Sequence, residues 1–265
     1  MAATSYPALF ALLLIVPLCH GANSIGQYCG SSYNSGQLKA NINRVLNDLA
    51  ARAPLDGFAV ASYGSGTDAI YGLAQCRGDV SSQDCAACIA DAVRELPNAC
   101  PGQADARIWY DYCFARFDNE NFVGQADTGY GVIYVNTESA ENPAAFDKAA
   151  GKLMTSVRAK ASVAGNRGLG RGKVQFSPYV TIYALADCTR DLSPLSCAQC
   201  LAAAVGKFPD YCEYRKGCQV NYSSCRARYE VYPFYFPLDS RKASLAAAKT
   251  EASYKVSYAK FILNP

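Results

Sequence analysis

Between residues 37 and 49 the apolar side chains Leu38, Ile42, Val45, Leu46 and Leu49 recur every three or four positions, which predicts an amphipathic helix. Phe58 to Ser62 and Tyr71 to Cys76 predict strands on either side of the Gly64-Ser65-Gly66 turn. Ser81 stands where a cap is needed for a helix running to about Leu96, with Pro97 as its stop. Arg107 to Phe117 is aromatic-rich and predicts one or two strands. The order then recurs. Tyr130 to Val135 predicts a strand. Asn142-Pro143 opens a helix to about Ala164, with Asn as cap and Pro in the first turn. Val180 to Cys188 predicts a strand, Ser193-Pro194 opens a second helix, and Gln219 to Tyr235 is extended.

The recurrence is a duplication. Tyr71 to Val93 and Tyr183 to Val205 align at an offset of 112 residues with 12 of 23 positions identical, all three cysteines among them. The offset carries on through Pro97 and Pro209, Cys100 and Cys212, and Cys113 and Cys225. Each copy is then an α+β unit, two helices packed on an antiparallel sheet. The first domain is expected over residues 22–124 and the second over 125–240, with Gln125 to Thr128 as linker. A tail over 241–265, rich in Ala, Lys and Ser, lies outside the repeat.

The first 21 residues read as a leader for secretion: Ala8 to Leu18 is an apolar run too short to cross a bilayer, and small or neutral residues precede Ala22. Its removal takes Cys19 and the chain's one histidine, His20, so 13 cysteines become 12. An even count in an oxidising compartment implies a closed disulfide framework. Without histidine, and with every thiol paired, the mature chain has no Ser-His-Asp triad, Cys-His pair or His-containing zinc site. No carboxylate constellation stands out. The expectation is a protein that is not an enzyme and takes neither metal nor cofactor. A net charge of +3 implies no nucleic-acid partner, and no stretch of the mature chain is apolar enough for a membrane span.

Within each copy the frame is C-x8-C-x2-C, followed by cysteines 12 and 25 residues later. Cys85 and Cys88 lie one helical turn apart and share a face. Six cysteines allow fifteen connectivities, and spacing alone leaves the pairing open. This frame, Cys76-x8-Cys85-x2-Cys88 repeated at Cys188, Cys197 and Cys200, resembles the plant cysteine-rich domain of ginkbilobin-2 type, also called the stress-antifungal or DUF26 domain. Two such domains behind a leader look like the cysteine-rich repeat secretory proteins of the apoplast. The resemblance implies a two-helix layer on a five-stranded antiparallel sheet. It also implies the bridges Cys29–Cys100, Cys76–Cys85 and Cys88–Cys113 in the first copy, and Cys188–Cys197 with Cys200–Cys225 in the second. There Val135 stands where Cys29 does in the first copy, and an extra Cys218 appears, so the third bridge is expected to be a local Cys212–Cys218.

The family's mannose-contacting set is an Asn after the first cysteine, an Arg six residues before the last and a Glu five residues after it. In the first copy these positions hold Gly30, Arg107 and Asp118. In the second they hold Asn136, Gln219 and Glu230. Neither copy has the full set. Arg107 and Asp118 are an odd number of residues apart, so a common face requires a turn or bulge near Cys113. The plainer alternative for these positions is a solvated surface charge.

Three further features invite a function. Asn221-Tyr222-Ser223 is a sequon, and alternation along the strand predicts an outward Asn221 open to glycosylation, with an unoccupied sequon as the plainer alternative. Arg167, Arg171 and Lys173, interleaved with glycines, read as a flexible helix-to-strand connection, with a polyanion-binding loop as the sharper alternative. The aromatic run Tyr229, Tyr232, Phe234, Tyr235 and Phe236 reads as core and interdomain packing, with a partner-docking face as the alternative. Two functions compete. One is an extracellular defence or stress-signalling module that contacts a protein such as a receptor-kinase ectodomain. The other is an antifungal protein that binds a mannose-containing glycan.

Overall fold

A computed structural model describes residues 24–236 and 256–264. The leader, and residues 237–255 with most of the tail, lie outside the described residues. The first repeat runs β1 (Gly26–Cys29), α1 (Gly36–Asp56), β2 (Phe58–Tyr63), β3 (Ile70–Cys76), α2 (Ser82–Ala99), β4 (Ala106–Trp109) and β5 (Cys113–Asp118). The second runs β6 (Gly131–Asn136), α3 (Pro143–Ala161), β7 (Leu169–Ser177), β8 (Val180–Cys188), α4 (Pro194–Gly206), the short α5 (Phe208–Cys212), β9 (Cys218–Tyr222) and β10 (Cys225–Glu230). A last strand, β11 (Tyr258–Leu263), follows from the tail.

The sheets are antiparallel. The first has the order β1-β4-β5-β3-β2. The second has β11-β6-β9-β10-β8-β7, the same order with β11 added beside β6. Each sheet packs its helices on one face. The stripe Leu38, Ile42, Val45, Leu46 and Leu49 is buried in the first core, and Phe146, Met154 and Val157 of α3 in the second.

Caps fix the helices. Ser35 Oγ accepts from Leu38 N at 3.2 Å and Ser81 Oγ from Asp84 N at 3.1 Å, so each holds a donor that the first turn leaves free. Gly57, at φ 74°, ends α1 in the left-handed region. Two terminators act differently from the sequence expectation. Pro97 lies inside the last turn of α2, which runs on to Ala99 because fully buried Leu96 anchors that turn to the core. Asn142 precedes α3 at φ 49° and makes no side-chain capping bond, while Pro143 does open the helix.

The glycine-interleaved stretch is not a flexible connection. Residues 169–177 form β7, paired with β8 from Leu169↔Asp187 onward. Its glycines serve close packing: a Cβ on Gly170 would lie 2.0 Å from the Val157 carbonyl oxygen of α3, so the strand can run beneath the helix only without one.

All twelve described cysteines are bridged: Cys29–Cys100, Cys76–Cys85, Cys88–Cys113, Cys188–Cys197, Cys200–Cys225 and Cys212–Cys218. The first copy ties its first strand to α2 covalently. The second holds β6 by pairing to β9 and β11.

Candidate functional site

The faces of the sheets turned away from the helices carry the positions expected to contact a sugar. Arg107 of β4 pairs in register with Arg116 of β5, and the turn at 110–112 brings Asp118 onto the same face. This is the turn near Cys113 that a common face requires. None of these groups is a solvated surface charge. Arg107, Arg116 and Asp118 are buried, and so are Asn136, Gln219 and Glu230.

In the first repeat, Arg107 is held from three sides. Nη2 donates to both oxygens of Asp105 at 2.8 Å, and Nη1 donates to Asp127 at 2.6 Å and to Ser223 Oγ at 2.7 Å. Its guanidinium lies over the Tyr28 ring. Asp118 accepts from Arg116 at 2.7 Å and from Glu120 N at 2.9 Å, while Asp127 also accepts from Arg116 at 2.8 Å. Arg107 and Asp118 therefore join one chain of charges through Asp127 and Arg116 and do not touch. Burial pushes the Asp127 carboxyl up, but Arg107, Arg116 and the Gly129 N–H outweigh it and hold the group below its ordinary range.

In the second repeat Asn136 and Glu230 do meet, Nδ2 to Oε2 at 3.2 Å. Tyr258 of β11 covers them and donates its hydroxyl to Glu230 Oε1 at 2.6 Å. Burial raises the Glu230 pKa, against the pull of Arg228 and these hydrogen bonds. Gln219 points elsewhere and donates to Asn221 at 2.8 Å.

A reciprocal exchange links the two copies. Gly30 N donates to the Asp105 carbonyl at 2.8 Å, and Asn136 N makes the same bond to Gly217 at 3.0 Å. The pairs are thus equivalent: Gly30 with Asp105, Asn136 with Gly217. A Cβ on Gly30 would sit 2.4 Å from Asp105 Oδ2, and one on Gly217 would sit 2.0 Å from Glu230 Oε1. Domain one gives the asparagine's place to Asp105, which binds Arg107. Domain two keeps the asparagine and closes backbone over Glu230.

The sequon reading is corrected. Asn221 is fully buried; it donates to the Val132 carbonyl at 3.1 Å and accepts from Gln219. Alternation does set it off from Val220 of the core, but the face it points to is the one the first repeat covers. There Trp109, the chain's one tryptophan, donates Nε1–H to the Tyr222 carbonyl at 2.9 Å and packs with Ile25 and Val132. Arg226 answers from the other side, with Nη1 donating to the Asp111 carbonyl at 2.8 Å. Gln75 bonds to Cys188 O and Arg190 N, and Phe236 N donates to Asp79 at 2.7 Å. The aromatic run reaches this junction at its end, where Phe236 packs on Tyr112 of the first repeat; Tyr232 and Phe234 pack on Leu185 of their own repeat. Sequence reasoning missed Asp105, Asp127 and Tyr258, none of which belongs to a recognisable motif. Trp109 was the one available signal of an interdomain anchor.

A family model described as salt stress response/antifungal matches residues 18–120 and 135–232, once per repeat. The chain belongs to that family. It is 47% identical over 240 residues to cysteine-rich repeat secretory protein 55 of Arabidopsis thaliana, covering 88% of this chain and 91% of the relative. The antimicrobial ginkbilobin-2-like protein of Castanea crenata is 37% identical over 227 residues, 86% of this chain and 92% of that one. Cysteine-rich receptor-like protein kinase 25 of Arabidopsis thaliana is 37% identical over 77% of this chain, which spans 31% of the kinase. The tandem DUF26 ectodomain of the Arabidopsis thaliana cysteine-rich receptor-like protein PDLP8 superposes with a TM-score of 0.70 at 27% identity, covering 80% of this chain and 98% of that one. This stress-antifungal family member is secreted and extracellular, and no helix among the described residues is long and apolar enough to cross a membrane.

Proposed function

We propose that this protein acts outside the cell in defence or stress signalling as a non-catalytic binding module whose partner is another protein, such as a receptor-kinase ectodomain. One observation carries the reading: the side chains at the family's sugar-contacting positions are buried and bonded to groups of this same chain. Arg107 serves Asp105, Asp127 and Ser223, and Glu230 serves Asn136 and Tyr258. A neutral sugar would have to displace these charge-assisted bonds, each stronger than a hydroxyl can replace. The likeness to receptor-like kinases supports a protein partner at the cell surface.

Mannose binding is the second reading, favoured by the meeting of Asn136 with Glu230 and by the ginkbilobin-2-like relative. It requires Tyr258 to leave Glu230. Titrating the secreted protein with mannose and with mannan, beside surface binding to a panel of receptor-kinase ectodomains, separates the two. Saturable ectodomain binding with no sugar response supports a protein partner. Sugar binding that Gln219→Arg strengthens and Glu230→Gln abolishes, with no ectodomain bound, overturns it.

A further inference from the structure

Asp56-Gly57 and Arg167-Gly168 are the same turn in the two repeats. Gly57 and Gly168 have φ of 74° and 79°, and their carbonyls accept from the equivalent amides of Cys76 and Cys188, both at 2.9 Å. Across the domain junction the two turns face each other, and Arg167 donates to the Asp56 side chain and carbonyl. Beside them opens a cleft of about 700 Å³, lined by both repeats. Small-molecule sites commonly lie at domain interfaces and measure about 300–1,000 Å³.

The wall of this cleft is out of charge balance. Its cations are Arg77, Lys160, Arg167, Arg171 and Arg190; its carboxylates are Asp56 and Asp187. Arg77 is neutralised by Asp79 at 2.5 Å, and Asp187 has both oxygens on Arg226, at 2.7 and 2.8 Å. That leaves four cations against Asp56 alone, a surplus of three. Arg167 and Arg190 share that one carboxylate. Arg171 donates to the Phe236 carbonyl, and neither it nor Lys160 meets a carboxylate among the described residues.

Two more features point the same way. Burial and the neighbouring Arg167 together hold the Arg190 guanidinium below its ordinary range in spite of Asp56. Like charges crowded in a half-enclosed space repel, and an anion placed among them removes that cost. Ser82, at the start of α2, also lines the cleft and adds a hydroxyl donor.

We propose that this interdomain cleft binds a small multivalent anion, one carrying two or more carboxylate or phosphate groups, on Lys160, Arg167, Arg171 and Arg190. The site is separate from the Asn136–Glu230 pair and does not depend on which macromolecule the protein contacts. Neutral sugars have no charge to set against these groups.

Calorimetric titration of the secreted, disulfide-bonded protein at low ionic strength tests it with three probes: trigalacturonate, inorganic pyrophosphate and the neutral maltotriose. Binding of one anion per chain is expected, with no response to maltotriose. Binding of trigalacturonate alone assigns the site to carboxylated sugars, and binding of both anions to compact anions in general. Lys160→Gln combined with Arg171→Gln should weaken binding about tenfold or more. Lys160→Gln alone, at an exposed residue, should weaken it about threefold and serves if the double variant does not fold. Arg94→Gln removes a remote, exposed arginine and should leave binding unchanged. The proposal is overturned if neither anion binds, if maltotriose binds equally well, if Lys160→Gln binds like the wild type, or if Arg94→Gln loses as much.

Discussion

Asp127 is the residue on which the buried charges of the first repeat converge, and Asp127→Asn tests whether they hold the fold. Oδ2 accepts from Arg107 at 2.6 Å and from Arg116 at 2.8 Å, while Oδ1 accepts from Gly129 N at 3.0 Å. An asparagine keeps the shape but cannot keep the bonds. With its oxygen toward the arginines, its amide faces the Gly129 N–H, donor against donor; reversed, it faces two guanidiniums. Removing one partner of a buried ion pair costs about 3–5 kcal/mol. Arg107 retains Asp105 and Arg116 retains Asp118, so we expect a smaller loss of about 2–3 kcal/mol, lowering Tm by about 4–10 °C. Because the folded pKa of Asp127 is depressed, its contribution is present above the unfolded value of about 3.9 and fades as the pH falls through the folded value. Urea unfolding of both proteins, disulfides intact, should show the full gap at pH 7 and a narrowing gap below pH of about 4. A difference under about 0.5 kcal/mol at pH 7, or a gap that does not change with pH, refutes the reasoning.

Three further outcomes are expected. Replacing Cys212 and Cys218 by Ser should cost about 2.2 kcal/mol and replacing Cys29 and Cys100 about 4.4, because the bridges span 6 and 71 residues; equal losses in denaturant unfolding would contradict this. Protein secreted from plant cells should carry no glycan on Asn221, and intact mass before and after glycosidase treatment will show it; a glycan there means that β9 does not sit as described. Trp109→Ala should cost about 3–5 kcal/mol and split the calorimetric transition in two as the repeats uncouple, whereas a single transition at the wild-type temperature would show that the anchor matters little.

The duplication, the helices and the cysteine frame were legible because each rests on local periodicity. The pairings implied by the resemblance are also those in the structure. The candidate site was misread for one physical reason. A polar residue on every second position of a strand signals a solvent-facing side, and Arg107, Arg116, Gln219, Asn221 and Arg228 give that signal. Here the other repeat, the 119–127 segment or the 231–236 run covers that side, so the polar residues pair with one another under cover. Alternation reports chemistry but not the layer that lies on top. The glycines of β7 misled in a similar way, since a close crossing beneath α3 and a loop require the same residue. β11 escaped because its partner β6 lies more than a hundred residues earlier in the chain.

The opposed turns at Asp56 and Arg167 bear on how such a chain arises. In a homodimer, any side chain beside the twofold axis must confront its own twin, so a charged residue there meets a like charge. Once both copies lie in one polypeptide, the two positions mutate separately, and an aspartate in one can face an arginine in the other. The attraction across this junction is therefore closed to a homodimer of identical repeats and open to a fused pair. Two copies of the first repeat joined head to tail would set Asp56 against Asp56, and two of the second would set Arg167 against Arg167. The halves have become lock and key, each shaped by what the other is not.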